Sequence, residues 1–355
     1  MSLRSLLSRL VPATLLLSAG LVQAVPPLPG LGAKTSEITV SGISSGGYMA
    51  VQFQTVHSGM VRGVGVLAGG PYYCAEGSVS RALANCMEPA GKEVPPTADA
   101  IAQTLKQFAD AGRIDAPGKL RDDRAWLLSG GQDKTVAPAV MDALDAFYRS
   151  ILPADAVRYV KVPNAGHAML SVADPKPNAC NTSSPPFINR CENLDAAGEL
   201  LSFLLAPVQG ELKPPTLQPA GDIITFDQRP YIQGIPTDSS LGHEGYAFVP
   251  TACRAGGCRI HVAFHGCRQS ASEIGRRFVE GAGYNGWAAS NRLIVLYPQT
   301  TTRYGFAWGS FRWIYNPKGC WDWWGYTGAD YATRDGLQIR AVRAMIEALG
   351  QPVKP

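Results

Sequence analysis

This chain is poor in charge. Only 17% of its 355 residues are Asp, Glu, Lys or Arg, the formal net charge is +4, and no block of like charge occurs. That composition excludes the electrostatic footprint of a nucleic-acid-binding protein. Internal repeats and low-complexity tracts are absent too, which leaves a globular chain with a rather apolar surface. Histidine is scarce: only His57, His167, His243, His261 and His265 occur, so few residues compete for the role of a general base. No long apolar run appears beyond the N-terminus. The one at residues 11–22 is too short to span a bilayer comfortably.

That run belongs to an expected export leader. Arg4 and Arg9 give it a positive start, and Val22-Gln23-Ala24 offers a small-residue cleavage site. Residues 1–24 are therefore expected to be removed, and the net charge falls from +4 to +2, because the leader holds two arginines and no acid. The remainder, 25–355, is long enough to bury a large core. Eight cysteines follow the leader, in close pairs: Cys74 and Cys86, Cys180 and Cys191, Cys253 and Cys258, Cys267 and Cys320. An even count behind an export signal favours disulfides. Sequence leaves the connectivity open. Nearest-neighbour pairing is the expectation, since three of the four bridges then close short loops. A zinc site from Cys253, Cys258, His261, His265 and Cys267 fits no common finger spacing, and no metal is expected.

Apolar runs read as strands at 37–40, 61–70, 125–130, 157–162, 223–226, 245–250, 259–264 and 291–298. Helical periodicity falls at 48–53, 98–111, 136–151, 194–205 and 333–349. Cys253 to Cys258 looks like a hairpin turn, and 207–219 is a Pro-rich crossing. Strands alternating with helices predict an α/β fold, a mostly parallel sheet covered on both faces. In such sheets, ligands sit at the carboxyl ends of the strands.

Three residues that carry chemistry lie at those ends. Gly42-Ile43-Ser44-Ser45-Gly46 joins a strand to a helix, as in the nucleophile elbow of serine hydrolases. The tight turn needs glycines beside a strained serine. Asp133 follows the 125–130 strand and His167 follows the 157–162 strand, giving the α/β-hydrolase order Ser, Asp, His. Ser44 would attack a carbonyl, His167 would carry the proton, and Asp133 would orient His167. The bland readings are a Gly/Ser turn, a helix N-cap at Asp133 and a structural loop histidine. His265, also at a strand end, is the one competing histidine. Asp122 and Asp123 precede their strand and fall at the wrong edge.

An oxyanion needs backbone donors. One is the N–H of Ser45. The other commonly comes from a His-Gly loop on a strand preceding the elbow. Here His265-Gly266-Cys267 comes long after it. Placing the segment from about Ile223 to the C-terminus ahead of residue 25 restores the ordinary order. The chain thus reads as a circularly permuted α/β-hydrolase in one domain, with the old termini joined across 207–219.

Residues 41–49 (Ser-Gly-Ile-Ser-Ser-Gly-Gly-Tyr-Met), His265-Gly266-Cys267-Arg268-Gln269, Leu296-Tyr297-Pro298-Gln299 and Gly319-Cys320-Trp321-Asp322-Trp323-Trp324-Gly325 together resemble the secreted poly(3-hydroxybutyrate) depolymerases. The likeness is to the single-domain, circularly permuted kind, and it covers nearly all of 25–355. It implies a Ser44–Asp133–His167 triad, an oxyanion hole from the Ser45 and Cys267 amides, and ester hydrolysis in short-chain polyhydroxyalkanoates without metal or cofactor. The expected partners are polyester polymer or oligomer, with no nucleic acid and no membrane once the leader is gone. The protein is expected to be a secreted monomer. Trp308, Trp313, Trp321, Trp323 and Trp324 crowd a glycine-rich stretch, which reads as an apolar platform beside the site. Trp321, Trp323, Trp324, Tyr48 and His265 are the substrate-binding candidates. A Cys267–Cys320 bridge would tie this stretch to the oxyanion loop. No separate polymer-binding domain is expected. The competing readings are a feruloyl or acetyl-xylan type carbohydrate esterase and a non-catalytic polymer- or sugar-binding protein. Intact Ser44, Asp133 and His167 argue against the latter.

Overall fold

A computed structural model describes residues 24–216, 218–232 and 236–353, so all but the last residue of the expected leader lies outside the described residues. The first half contains β1 (Ile38–Ile43), α1 (Ser45–Val56), β2 (Val61–Leu67), α2 (Val79–Cys86), α3 (Ala98–Asp110), β3 (Arg124–Gly130), α4 (Pro138–Ile151) and β4 (Val157–Val162). Three short strands, β5 (Met169–Leu170), β6 (Asn178–Ala179) and β7 (Ile188–Arg190), precede α5 (Ala196–Gln209). The second half contains β8 (Gly221–Asp227), β9 (Glu244–Pro250), β10 (Arg259–Phe264), α6 (Ala271–Ile274), α7 (Arg277–Gly281), α8 (Tyr284–Ser290) and β11 (Leu293–Tyr297). It ends with β12 (Arg303–Phe306), β13 (Trp313–Asn316) and α9 (Leu337–Gly350).

Both halves build one sheet of eight strands in the order β4-β3-β2-β1-β10-β11-β9-β8. The six strands from β4 to β11 run parallel, and β9 and β8 add an antiparallel edge. Taking β8 to β11 ahead of β1 turns the spatial order into 1-2-4-3-5-6-7-8, with the elbow strand fifth. The permuted α/β-hydrolase reading therefore has a direct counterpart in the sheet. Strands β1 and β11 are buried along their whole length, as continuous apolar runs covered on both faces must be. One face packs Phe53 of α1, Leu105 of α3, Leu144 of α4 and Ile339 of α9 against Val40, Val64 and Val262. The other packs Leu200 of α5, Phe278 of α7 and Tyr284 of α8 against Trp126, Ala263 and Val295.

Two local expectations need correction. The segment 253–258 is not a hairpin turn, because β11 lies between β9 and β10 in the sheet. The Cys253–Cys258 bridge and the left-handed Gly256 and Gly257 make a tight loop, and a tight loop leading into a crossover shows the same local signs. The Pro-rich crossing starts later than 207. Helix α5 holds Pro207 in its last turn and stops where Gly210 turns left-handed at φ 71°.

Candidate active site

Strand β1 delivers Ser44 on a strained turn, with φ 58° and ψ −126°. A non-glycine residue held at positive φ needs its surroundings to fix it. Two contacts do so: the Ser44 N–H donates to the Leu67 carbonyl at 2.9 Å, and the Ser44 carbonyl accepts the Tyr48 N–H at 3.1 Å. The flanking glycines are required sterically. A Cβ on Gly42 would fall 2.2 Å from the Gly46 carbonyl oxygen, and one on Gly46 would fall 2.3 Å from the Phe264 carbonyl oxygen.

Asp133 sits in the turn after β3, and its two oxygens do different things. Oδ1 accepts the backbone N–H groups of Thr135 at 2.8 Å and Val136 at 2.9 Å. Oδ2 lies 2.7 Å from His167 Nδ1. The N-cap of α4 is Ala137, so Asp133 makes an Asx-type turn and not the helix cap. His167 is buried in the loop between β4 and β5, with its backbone N–H donating to Ser183 Oγ at 2.9 Å and its ring edge-on to Phe187. A carboxylate at Nδ1 places the proton there and leaves Nε2 as the acceptor. Ser44 and His167 line one cavity of about 450 Å³.

The opposite wall comes from the other half of the chain. β10 pairs with β1 in parallel, with Phe264 level with Gly42, so the loop after β10 lands beside the elbow. A Cβ on Gly266 would be 3.3 Å from Ser44 Cβ. Ser45 opens α1, and the first-turn amides of a helix have no intrahelical acceptor. Ser45 and Cys267 both line the cavity. Cys267 is bridged to Cys320, whose segment forms part of the same wall. The remaining bridges are Cys74–Cys86, Cys180–Cys191 and Cys253–Cys258. All the cysteines of the zinc alternative are therefore oxidised. His261 spends both ring nitrogens on Thr39 and Ser41, each at 2.8 Å.

The aromatic candidates separate into two layers. Tyr48 stacks on Trp323 at 4.2 Å with an interplanar angle of 10°, Trp324 stands edge-on to Trp323, and all three line the cavity. The Tyr48 hydroxyl donates to the Cys86 carbonyl. Burial, and after it the Asp133 charge, raises the pKa of that hydroxyl well above the phenol range and keeps it neutral. Trp321 and His265 lie one layer deeper and do not line the cavity. Trp321 is fully buried, edge-on to Phe264 and 5.7 Å from the His265 ring. His265 accepts the Thr300 N–H at Nε2 (3.2 Å), so Nδ1 donates to the Gly266 carbonyl at 2.7 Å. Burial lowers its pKa to about 4, which makes it a neutral strut of the loop. Trp308 and Trp313 are on the exposed β12–β13 hairpin.

Sequence reasoning missed Gln269. It is buried, its Oε1 accepts the Gly266 N–H at 2.7 Å, and its Nε2 donates to the Pro186 and Phe187 carbonyls at 3.0 Å each. It thus straps the loop beside Ser44 to the segment that packs on His167. The apolar wall of α2, with Val79 and Leu83, was missed as well. A periodicity of two turns inside a disulfide-closed loop gives little signal.

No protein-family model matches the chain. Over 340 residues it is 40% identical to a poly(3-hydroxybutyrate) depolymerase of Delftia acidovorans, covering 94% of this chain and 64% of the relative. It therefore spans less than two thirds of that protein's length. Over 333 residues it is 33% identical to a polyhydroxybutyrate depolymerase of Talaromyces funiculosus, covering 92% and 93% of the two chains. The crystal structure of PHB depolymerase from Penicillium funiculosum superposes with a TM-score of 0.79 at 32% identity, over 92% of this chain and 100% of that one. A PHB depolymerase carrying a serine-to-alanine replacement, complexed with R3HB trimer, superposes equally, with a TM-score of 0.79 and 31% identity over 92% and 100% of the two chains.

Proposed function

The chain belongs to the poly(3-hydroxybutyrate) depolymerase family, and from that premise we propose that it is a secreted serine esterase. Its proposed substrates are the ester bonds of poly(3-hydroxybutyrate), related short-chain polyhydroxyalkanoates and their oligomers. The observation that carries the reading is the 2.7 Å contact between Asp133 and His167 at the wall of the cavity that Ser44 also lines.

The proposed chemistry is acyl transfer in two halves. Ser44 Oγ attacks the ester carbonyl while His167 Nε2 takes its proton, and Asp133 holds the imidazolium that forms. The N–H groups of Ser45 and Cys267 stabilise the oxyanion. His167 then protonates the departing alkoxide, which leaves as the hydroxyl end of the shortened polymer. Water, deprotonated by His167, attacks the acyl-Ser44 ester and releases the acid. The stacked Tyr48 and Trp323 rings, with Trp324 edge-on to them, and the side chains of Val79 and Leu83 provide apolar lining for the methyl-bearing repeat. One catalytic domain does this work, and no cofactor enters the scheme. Four disulfides support an oxidising, exported setting. Among the described residues, no helix is long and apolar enough to cross a membrane.

A carbohydrate esterase would need polar groups to meet sugar hydroxyls. The cavity lining is mostly aromatic and aliphatic, with Thr135, Ser183, Asn316 and Lys318 among its polar members, so the plant-type esters are the competitors that the test has to separate. The test is acid release from a poly(3-hydroxybutyrate) suspension, with Ser44→Ala as control and both plant-type esters alongside. Clearing by wild type alone supports the reading. Turnover confined to the plant esters would keep the site and refute the polyester assignment.

A further inference from the structure

The catalytic scheme leaves two cations of the cavity wall without a task. Arg268 and Lys318 both line the cavity, and no Asp or Glu lines it. Both residues are exposed. Neither side chain has a hydrogen-bond or ion-pair partner among the described residues. The carboxylates behind the wall are already spent. Asp133 is buried against His167, Thr135 and Val136. Asp322 is buried too, with its oxygens accepting the backbone N–H groups of Trp324, Gly325, Tyr326 and Thr327. An otherwise apolar cavity therefore carries positive charge on its wall that no acid beside it offsets.

The two segments that carry these cations are stitched together twice. The Arg268 N–H donates to the Lys318 carbonyl at 2.8 Å, and beside that bond the Cys267–Cys320 disulfide joins the same two segments. Arg268 is held at φ 60°, in the left-handed region that a bulky side chain enters only under constraint. Gly319, one residue after Lys318, takes the same conformation at φ 54° as a glycine. A glycine would make the turn at 268 with less strain, so the arginine needs a reason in its side chain. Arg268 is also close to the nucleophile. It follows Gly266, whose Cβ would lie 3.3 Å from Ser44 Cβ, by two residues, at most about 7 Å of chain.

We infer that Arg268 and Lys318 form a subsite for the carboxylate end of a polyester oligomer. The inference rests on the polyester reading above and names the form of substrate that the same site prefers. Every such oligomer ends in one carboxylate. In a chain bound across Ser44, that carboxylate belongs to the fragment that leaves as the alkoxide, since the acyl fragment carries the hydroxyl end. A guanidinium can take both carboxylate oxygens, and the ammonium adds a point charge. Holding the chain end there fixes how many repeats separate it from the ester presented to Ser44. Anionic oligomers are then preferred to neutral ones of equal length. The gain lies in binding, because the charge is remote from the reacting carbonyl.

The experiment compares a 3-hydroxybutyrate trimer at neutral pH with the same trimer carrying a primary amide in place of its carboxylate, using the full chain. We expect kcat/KM to favour the acid by about tenfold at low salt, through KM, and the preference to shrink in about 1 M salt, where screening is strong. Arg268→Gln and Lys318→Gln should each cut the preference by about threefold and together abolish it, with amide-trimer turnover within about twofold of wild type. Lys318→Arg should retain it. Equal kcat/KM for acid and amide by wild type overturns the proposal, and so does a preference that survives the double variant. Should Arg268→Gln disturb the loop beside Cys267, amide-trimer turnover falls as well. Lys318→Gln, outside that loop, then decides, and an unchanged preference overturns the pair. Failure of the esterase reading shows separately, as absent turnover of the amide trimer by wild type. Calorimetric binding of acid and amide to Ser44→Ala then tests the cation pair by itself, with equal affinities overturning it.

Discussion

Gln269 holds Gly266 by a 2.7 Å hydrogen bond from the Gly266 N–H to its side-chain oxygen, and the same side chain donates to Pro186 and Phe187. One buried amide thus sets the distance between the two walls of the cavity. Neither wall is continuous with the other in sequence, and the Gln269 amide is spent on bonds to both, which makes it a positioning residue. Gln269→Leu is expected to lower kcat by about tenfold to a hundredfold with KM little changed, because misplaced oxyanion donors cost rate and not ground-state binding. Gln269→Glu separates positioning from packing. Its carboxylate still accepts from Gly266 but donates to Pro186 and Phe187 only when protonated. Its rate relative to wild type should therefore rise as pH falls, while that of the leucine variant should not. A flat ratio for both would refute the positioning role.

The double use of Asp133 gives a second expectation. Oδ1 is engaged by Thr135 and Val136, so an asparagine can keep the turn while presenting an N–H to His167. That favours the wrong imidazole tautomer. Asp133→Asn should lower kcat by on the order of 10⁴ with the melting temperature close to wild type. A loss of activity below about tenfold would remove Asp133 from the proposed triad.

The placement of these groups was legible because buried strands announce themselves. Apolar runs gave the ends of β3 and β4, and the elbow glycines marked the end of β1, which runs to Ile43 and not to 40; Ser44 follows β1 at once, Asp133 follows β3 by three residues and His167 follows β4 by five. The late His265-Gly266-Cys267 loop made the permutation readable, and the sheet order contains it. What sequence could not tell is which way a side chain faces in irregular structure. Trp321 and Trp324 lie three residues apart, yet one is sealed in the core and the other lines the cavity. Gln269 was invisible for another reason: two of its three partners are more than 80 positions away. The β12–β13 ribbon gives no usual strand signal because its alternation is inverted, with large aromatics facing water and Arg303, Gly305, Ile314 and Asn316 on the other face.

The Cys267–Cys320 bridge joins the loop after β10, the proposed oxyanion loop, to the Trp-rich segment across a sequence separation of 53. On the chain-entropy account, closing such a loop stabilises the fold by about 4 kcal/mol. Both ends lie in the cavity wall. A double serine variant at these positions should lose ester hydrolysis well before it loses helical circular dichroism. The two signals falling together on titration with denaturant, with full activity before the transition, would reduce the bridge to a general staple.

Asp123 gives a pH signature far from the chemistry. Burial pushes its carboxyl up to about 8. Gln54 donates to Oδ2 at 2.9 Å, Oδ1 has no hydrogen-bond partner among the described residues, and Arg62 stands 3.8 Å away and partly in solvent. The folded state therefore holds a proton that the unfolded chain gives up near pH 4. Stability from this group is fully present below about pH 4 and is lost as pH rises through about 8. Asparagine keeps an acceptor for Gln54 and carries no charge at any pH. Asp123→Asn should match wild type in melting temperature near pH 4 and exceed it near pH 9, with the gap opening between those limits. A variant less stable than wild type at pH 9 would mean that the fold favours the Asp123 carboxylate, with the Arg62 attraction outweighing its burial.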